Sequence, residues 1–120
     1  MENYKLVLPE HLNHFEVLFG GYLLKWVDEM AWIAASLDFP HCRFVTIGMD
    51  RVEFKKSIQK GTILKFQMTR ESVGTTSVSY VVDVYKAHVE HPFEQANQDS
   101  IFSTTVTLVN VDSTGHKRPV

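Results

Sequence analysis

Asn13, Gly20, Gly21 and Asp28 are the residues of this 120-residue sequence whose types and spacing could act on one substrate. A loop carries a polar amide, a glycine pair opens a strongly apolar helix, and a carboxylate follows about two turns later. The residues flanking Asp28 along that helix, Leu24, Ala31, Trp32 and Ala35 among them, are small or apolar. Such surroundings desolvate a carboxylate, strengthen it as a base and leave room for a substrate. The spacing is equally compatible with an ordinary solvated acid. Glycines at a helix start let a ligand approach unpaired N–H groups, whose dipoles stabilise the negative charge that develops in acyl transfer. Close packing of the helix start is the plainer explanation of the pair. An amide in a loop before a helix is more often a turn residue than a catalyst, and Asn13 carries both readings.

Other groups could bind rather than react. Lys55, Lys56, Lys60 and Lys117 with Arg118 could hold phosphates as point charges, although lysines at turns commonly serve only to keep a surface solvated. Gly74-Thr75-Thr76-Ser77 offers backbone and hydroxyl donors at a turn, or is a plain hairpin. A nucleophile elbow G-x-S-x-G, a phosphate loop, a dinucleotide fingerprint and H-E-x-x-H are all absent. His41 and Cys42 are adjacent and so point apart, and His88 with His91 in a polar stretch makes a poor metal site. No metal and no cofactor is expected.

These groups need elements to hold them. Residues 3–8 are short and β-leaning, ended by Pro9, and residues 11–18 read as a loop. Over residues 19–37 the period is helical, with Leu23, Trp26, Val27, Met30, Ile33, Ala34 and Leu37 forming one apolar face. Leu24, Asp28, Ala31, Trp32 and Ala35 fall opposite it, and only Lys25, Glu29 and Ser36 make a polar strip. A helix so apolar wants cover on most sides. A sheet covers one side, so a second copy of the chain is expected on the other, with Asp28 near that interface.

After Pro40 the pattern turns to strands. Residues 44–54 are β-rich and residues 55–61 form a basic turn region. Leu64, Phe66 and Met68 alternate with polar residues, as do Val78, Tyr80, Val82 and Val84 beyond the Gly74-Thr75 turn. A polar stretch at 88–100 reads as a long hairpin connection, residues 101–111 as the last strand, and 113–120 as a tail. The order is strand, helix, then four strands joined mostly by turns. It predicts a single α+β domain over residues 1–120, an antiparallel sheet of about five strands wrapped around one central helix.

Composition narrows the function classes. The hydrophobic and charged fractions, 44% and 22%, are those of a globular protein, and a formal charge of −2 lacks the footprint of a nucleic-acid binder. No basic leader precedes a long apolar run, and nothing is long enough to span a bilayer. Cys42 has no second cysteine to pair with. A cytoplasmic protein with no nucleic-acid or membrane partner is the expectation.

The sequence resembles the hot-dog-fold acyl-CoA thioesterases, in particular their acyl-CoA hydrolase branch. The matching stretches run from Asn13 through Phe19-Gly20-Gly21 to Asp28, then Val45-Thr46, Val52-Glu53-Phe54, Gly74-Thr75-Thr76-Ser77-Val78-Ser79, and the ending from Asp112 to Val120. The resemblance implies a homodimer, often assembled into tetramers or hexamers, that hydrolyses acyl-CoA to a carboxylic acid and CoA. By position it makes Asp28 the catalytic carboxylate and Asn13 its partnering amide, and places Thr46 near the reacting centre. It associates Gly74, Thr75, Thr76 and Ser77, with the basic residues Lys55, Lys56 and Arg118, with CoA. Three positions depart from the pattern: Glu16 stands where the family usually has glycine, Ser57 replaces a common proline, and Thr62 follows Gly61 where an acid is usual. The expected mechanism is carboxylate-assisted water attack, with direct attack by Asp28 as a second route. A non-catalytic acyl-CoA-binding module is the alternative function. A dehydratase would need a histidine near the helix entry, where His11 and His14 lie, but their spacing to Asp28 follows the thioesterase pattern.

Overall fold

The computed structural model describes residues 1–87 and 100–120. Strand β1 (Glu2–Leu6) leads through a short 3-10 turn at Pro9–His11 to helix α1 (Gly20–Asp38). Strands β2 (Phe44–Asp50), β3 (Ile63–Val73), β4 (Ser77–Lys86) and β5 (Phe102–Asn110) follow. All five strands join one antiparallel sheet in the order β1-β3-β4-β5-β2, and α1 packs on its inner face. This is the expected α+β architecture, and the alternating residues Leu64, Phe66, Met68, Val78, Tyr80, Val82 and Val84 all turn inward to be buried. Burying each large apolar side chain is worth about 1.5–3 kcal/mol, so this face and the helix stripe together hold the domain.

Three expectations need correction. Strands β3, β4 and β5 pair in succession as expected, but β2 lies at the sheet edge beside β5, so residues 51–62 cross over instead of turning back. Strand β2 also stops at Asp50, short of Phe54, because Arg51 takes a left-handed φ of 59° that breaks the ladder. The Asp50 carbonyl is capped there by the Thr104 hydroxyl at 2.5 Å. On the helix, Ala31 and Ala35, expected opposite the main stripe, are fully buried, whereas Leu37 is exposed. The helix packs more squarely on Ala31 and Ala35 because small side chains let it approach the sheet closely.

The ends of α1 have local causes. Phe19 precedes the helix and offers no side-chain cap. At the other end the Phe39 N–H donates to Ala35 O at 2.8 Å, and Pro40 cannot continue the ladder. The buried Tyr80 hydroxyl then pins the last turn, donating to Asp38 Oδ2 at 2.6 Å. The tail, residues 113–120, folds back on the sheet: Val111 bridges Lys117, and Val120 N–H donates to Thr75 O at 2.9 Å. The polar connection, with His88 and His91, lies outside the described residues apart from Ser100. Among the described residues no helix is long and apolar enough to cross a membrane.

Candidate active site

Asp28 sits half-buried in the middle of α1, facing edge strand β2. The Thr46 hydroxyl donates to its Oδ1 at 2.5 Å, across from helix to strand. One turn further along, Trp32 Nε1 donates to the Phe44 carbonyl at 3.2 Å, so the same helix face is tied to β2 twice. One carboxylate oxygen is thereby fixed and the other is left to accept a proton.

The helix start supplies donors. With no Ser, Thr, Asp or Asn at the cap position, the N–H groups of Gly20 and Gly21 have no partner among the described residues. Gly20 borders a cavity of about 390 Å³. Its inner wall is the buried trio Leu18, Leu23 and Ile58; Phe54, Lys55, Lys56 and Ser57 form the exposed rim. A Cβ on Gly20 would stand 3.1 Å from the Phe54 ring, a tight contact that the half-exposed ring would have to yield to, so glycine lets the ring lie close over the helix start.

Asn13 has a structural task as well as a free end. Its Oδ1 accepts from the N–H groups of Phe15 at 2.8 Å and Val17 at 3.4 Å, closing the loop that contains Glu16. Glu16 itself adopts a left-handed φ of 60°, which explains why the resembling family favours glycine there. The Asn13 amide nitrogen remains available. It borders a separate cavity of about 340 Å³ with Glu16, Gln59 and Lys60.

Helix geometry keeps these groups apart within one chain. Gly20 and Asp28 are eight positions apart, a rise of about 12 Å along the axis. A carbonyl held by the Gly20 N–H therefore lies beyond the reach of the same chain's Asp28.

The candidate CoA-binding residues also fall into two groups. Gly74, Thr75, Thr76 and Ser77 form the β3–β4 turn, closed by Gly74 N–H to Ser77 O at 2.8 Å. The Thr75 and Thr76 carbonyls are taken by Val120 and Asn110, which brings the closing segment with Arg118 alongside. Arg118 is itself paired with Asp112 Oδ2, at 3.1 Å from Nε and 3.0 Å from Nη2. Lys55 and Lys56 lie at the opposite end of β4, where the Lys55 N–H donates to Ile101 O and Ile101 N–H to Val84 O. The seven steps of strand from Ser77 to Val84 span about 23 Å.

Two features carry no local signal in the sequence: Phe54 over Gly20, and the Tyr80–Asp38 contact. Both join residues more than thirty positions apart, where no periodicity operates.

Comparison with known proteins places these features in a family. Residues 15–91 match the model of the thioesterase superfamily. The chain is 33% identical to an uncharacterized acyl-CoA thioester hydrolase of Bacillus subtilis, over 95% of this chain and 63% of that protein. It is 30% identical to the protein VdlD of Helicobacter pylori, over 88% of this chain and 59% of that one. The chain thus spans less than two thirds of the length of these curated relatives. Among solved structures, the acyl-CoA hydrolase of Staphylococcus aureus in complex with butyryl-CoA and CoA superposes with a TM-score of 0.87 at 29% identity, covering 100% of this chain and 70% of that one. A hexameric hot-dog-fold thioesterase of Campylobacter jejuni superposes at 0.82 with 32% identity, covering 98% and 87%.

Proposed function

Since the chain belongs to the thioesterase superfamily, we propose that it hydrolyses acyl-CoA thioesters to a carboxylic acid and free CoA, in a site completed by two copies of the chain. The observation that carries this is the half-buried Asp28 carboxylate, held at one oxygen by Thr46 beside an edge strand. The relatives named as acyl-CoA hydrolases support the substrate class. Variants of the S. aureus hydrolase with alanine in place of an asparagine, an aspartate and a threonine have also been solved. In that protein the asparagine precedes the aspartate by the same number of residues as Asn13 precedes Asp28. The threonine follows by one residue fewer than Thr46 follows Asp28.

In the proposed mechanism the thioester carbonyl oxygen accepts from the Gly20 and Gly21 N–H groups. The free oxygen of Asp28 takes a proton from a water molecule, whose oxygen attacks the carbonyl carbon. The tetrahedral intermediate then collapses, the C–S bond breaks, the thiolate leaves, and the proton on Asp28 passes to the thiolate or to solvent, restoring the carboxylate. A thiolate is a good leaving group, so a dedicated acid is unnecessary. The Asn13 amide nitrogen orients the water or the thioester. General-base assistance is worth about 10²–10⁴-fold and one oxyanion donor about 10²–10³-fold, ample for an activated ester. Direct attack by Asp28 through an anhydride remains the second route, and trapping with labelled water separates the two.

The 12 Å rise between Gly20 and Asp28, about two helical turns, favours donors from one copy and base from the other. Strand β2 has no neighbour on its outer edge among the described residues, and Val45, Ile47 and Trp32 are exposed apolar side chains along that side. A homodimer across this edge, assembling further into a hexamer like the Campylobacter thioesterase, fits both facts.

Asp28→Asn, assayed by thiol release from a panel of acyl-CoAs, tests the proposal. A folded variant with unchanged turnover removes Asp28 from the chemistry. Tight acyl-CoA binding without hydrolysis by the natural chain would identify a binding module instead.

A further inference from the structure

The geometry points to Phe54 as the residue that sets which acyl chains this protein accepts, with the cavity beside Gly20 as the place where the chain lies. This rests on the thioesterase function proposed above and names its substrate class: thioesters of short and medium acyl chains.

Three relationships lead there. Ring atoms of Phe54 stand 3.1, 3.3 and 3.7 Å from where a Cβ on Gly20 would be, so the ring fills the space over the first residue of the helix. Its backbone is anchored by a bridge to Phe102, and its ring leans on the buried Phe102 ring with centroids 5.3 Å apart. Yet Phe54 is 51% exposed, whereas Leu18, Leu23 and Ile58 across the cavity are core residues. Three of the apolar walls are therefore fixed by the fold, and the fourth is an aromatic ring that can be resized without emptying the core.

The chemistry follows from that arrangement. A thioester whose carbonyl oxygen sits on the Gly20 N–H brings its adjoining methylene groups against Phe54 and the buried wall. Lys55 and Lys56 at the rim are charged and keep the solvated side polar, so the apolar end of the substrate is the part that enters. At about 390 Å³ the cavity lies near the small end of ligand sites, which run to about 1,000 Å³, and so fits short and medium chains. A wall that touches each added methylene discriminates by roughly 10-fold or more per group.

The test compares kcat and KM for acetyl- through palmitoyl-CoA in the natural chain, Phe54→Ala and Phe54→Trp, each checked for folding by circular dichroism. Phe54→Ala should move the optimum to longer chains, raising kcat/KM for palmitoyl-CoA relative to butyryl-CoA by about 10-fold or more. Phe54→Trp should move it the other way. A uniform loss across all chains, with the ratio unchanged in both variants, would mean that the ring only packs and would overturn the inference. So would an equal rise of KM for every chain length together with weaker inhibition by free CoA, because the cavity would then hold the CoA arm. Absence of all hydrolysis in the natural chain refutes the thioesterase function instead. The same palmitoyl-to-butyryl ratio, read from calorimetric binding of the two acyl-CoAs, then decides for or against Phe54 by itself.

Discussion

The Thr46 hydroxyl and the Asp28 carboxylate meet at 2.5 Å, joining the middle of the buried helix to the edge strand of the sheet. The bond fixes which oxygen of Asp28 is occupied and so where a proton can be taken. Thr46→Ala should lower kcat by about 10-fold, the worth of a hydrogen bond to a charged group, with little change in KM. Thr46→Ser, which keeps the hydroxyl, should recover most of that loss. Thiol-release kinetics on the three proteins check this; equal rates for the alanine variant and the natural chain would leave Thr46 without a positioning role.

A site shared by two copies has a distinct signature. Gly20→Val should be inactive, because its side chain meets the Phe54 ring, and Asp28→Asn should be inactive for want of a base. Mixed and reassembled in equal amounts, the two should regain about a quarter of natural activity, since half of the dimers carry one intact site of two. No recovery on mixing would place donors and base in the same chain.

Glu16 holds a left-handed backbone that costs an ordinary residue roughly 1–2 kcal/mol. Glu16→Gly relieves that cost but loosens the unfolded chain, for a net stabilisation of about 0.5–1 kcal/mol. The expected outcome is a higher urea midpoint. A lower midpoint would show that the Glu16 side chain contributes more than its backbone strain removes.

The Asp112 carboxyl is held down at about 2, below its ordinary 3.8. The Thr114 hydroxyl is the first cause, then the His116 N–H, the Thr114 N–H and the Arg118 charge. A depressed carboxyl contributes stability that is fully present above its ordinary value and is lost as pH falls through the folded one. Unfolding midpoints should therefore decline between about pH 4 and pH 2, and Asp112→Asn should flatten that part of the profile. An unchanged slope in the variant would assign the acid sensitivity to other carboxylates.

Much of this protein is legible in its residues because helices and strands follow local periods. The helix expected over 19–37 forms at Gly20–Asp38, and the alternation in β3 and β4 names the buried residues. Even the separation of Gly20 from Asp28 is contained in the sequence, since a helix rises by a fixed amount per residue. The tertiary structure alone decided that β2 pairs with β5 at the edge, that Thr46 holds Asp28, and that Phe54 covers Gly20. Those contacts join residues 18 to more than 60 positions apart, and no local period encodes them. They follow from how one helix and five strands share a single core, where closing each long loop costs entropy that only the complete packing offsets.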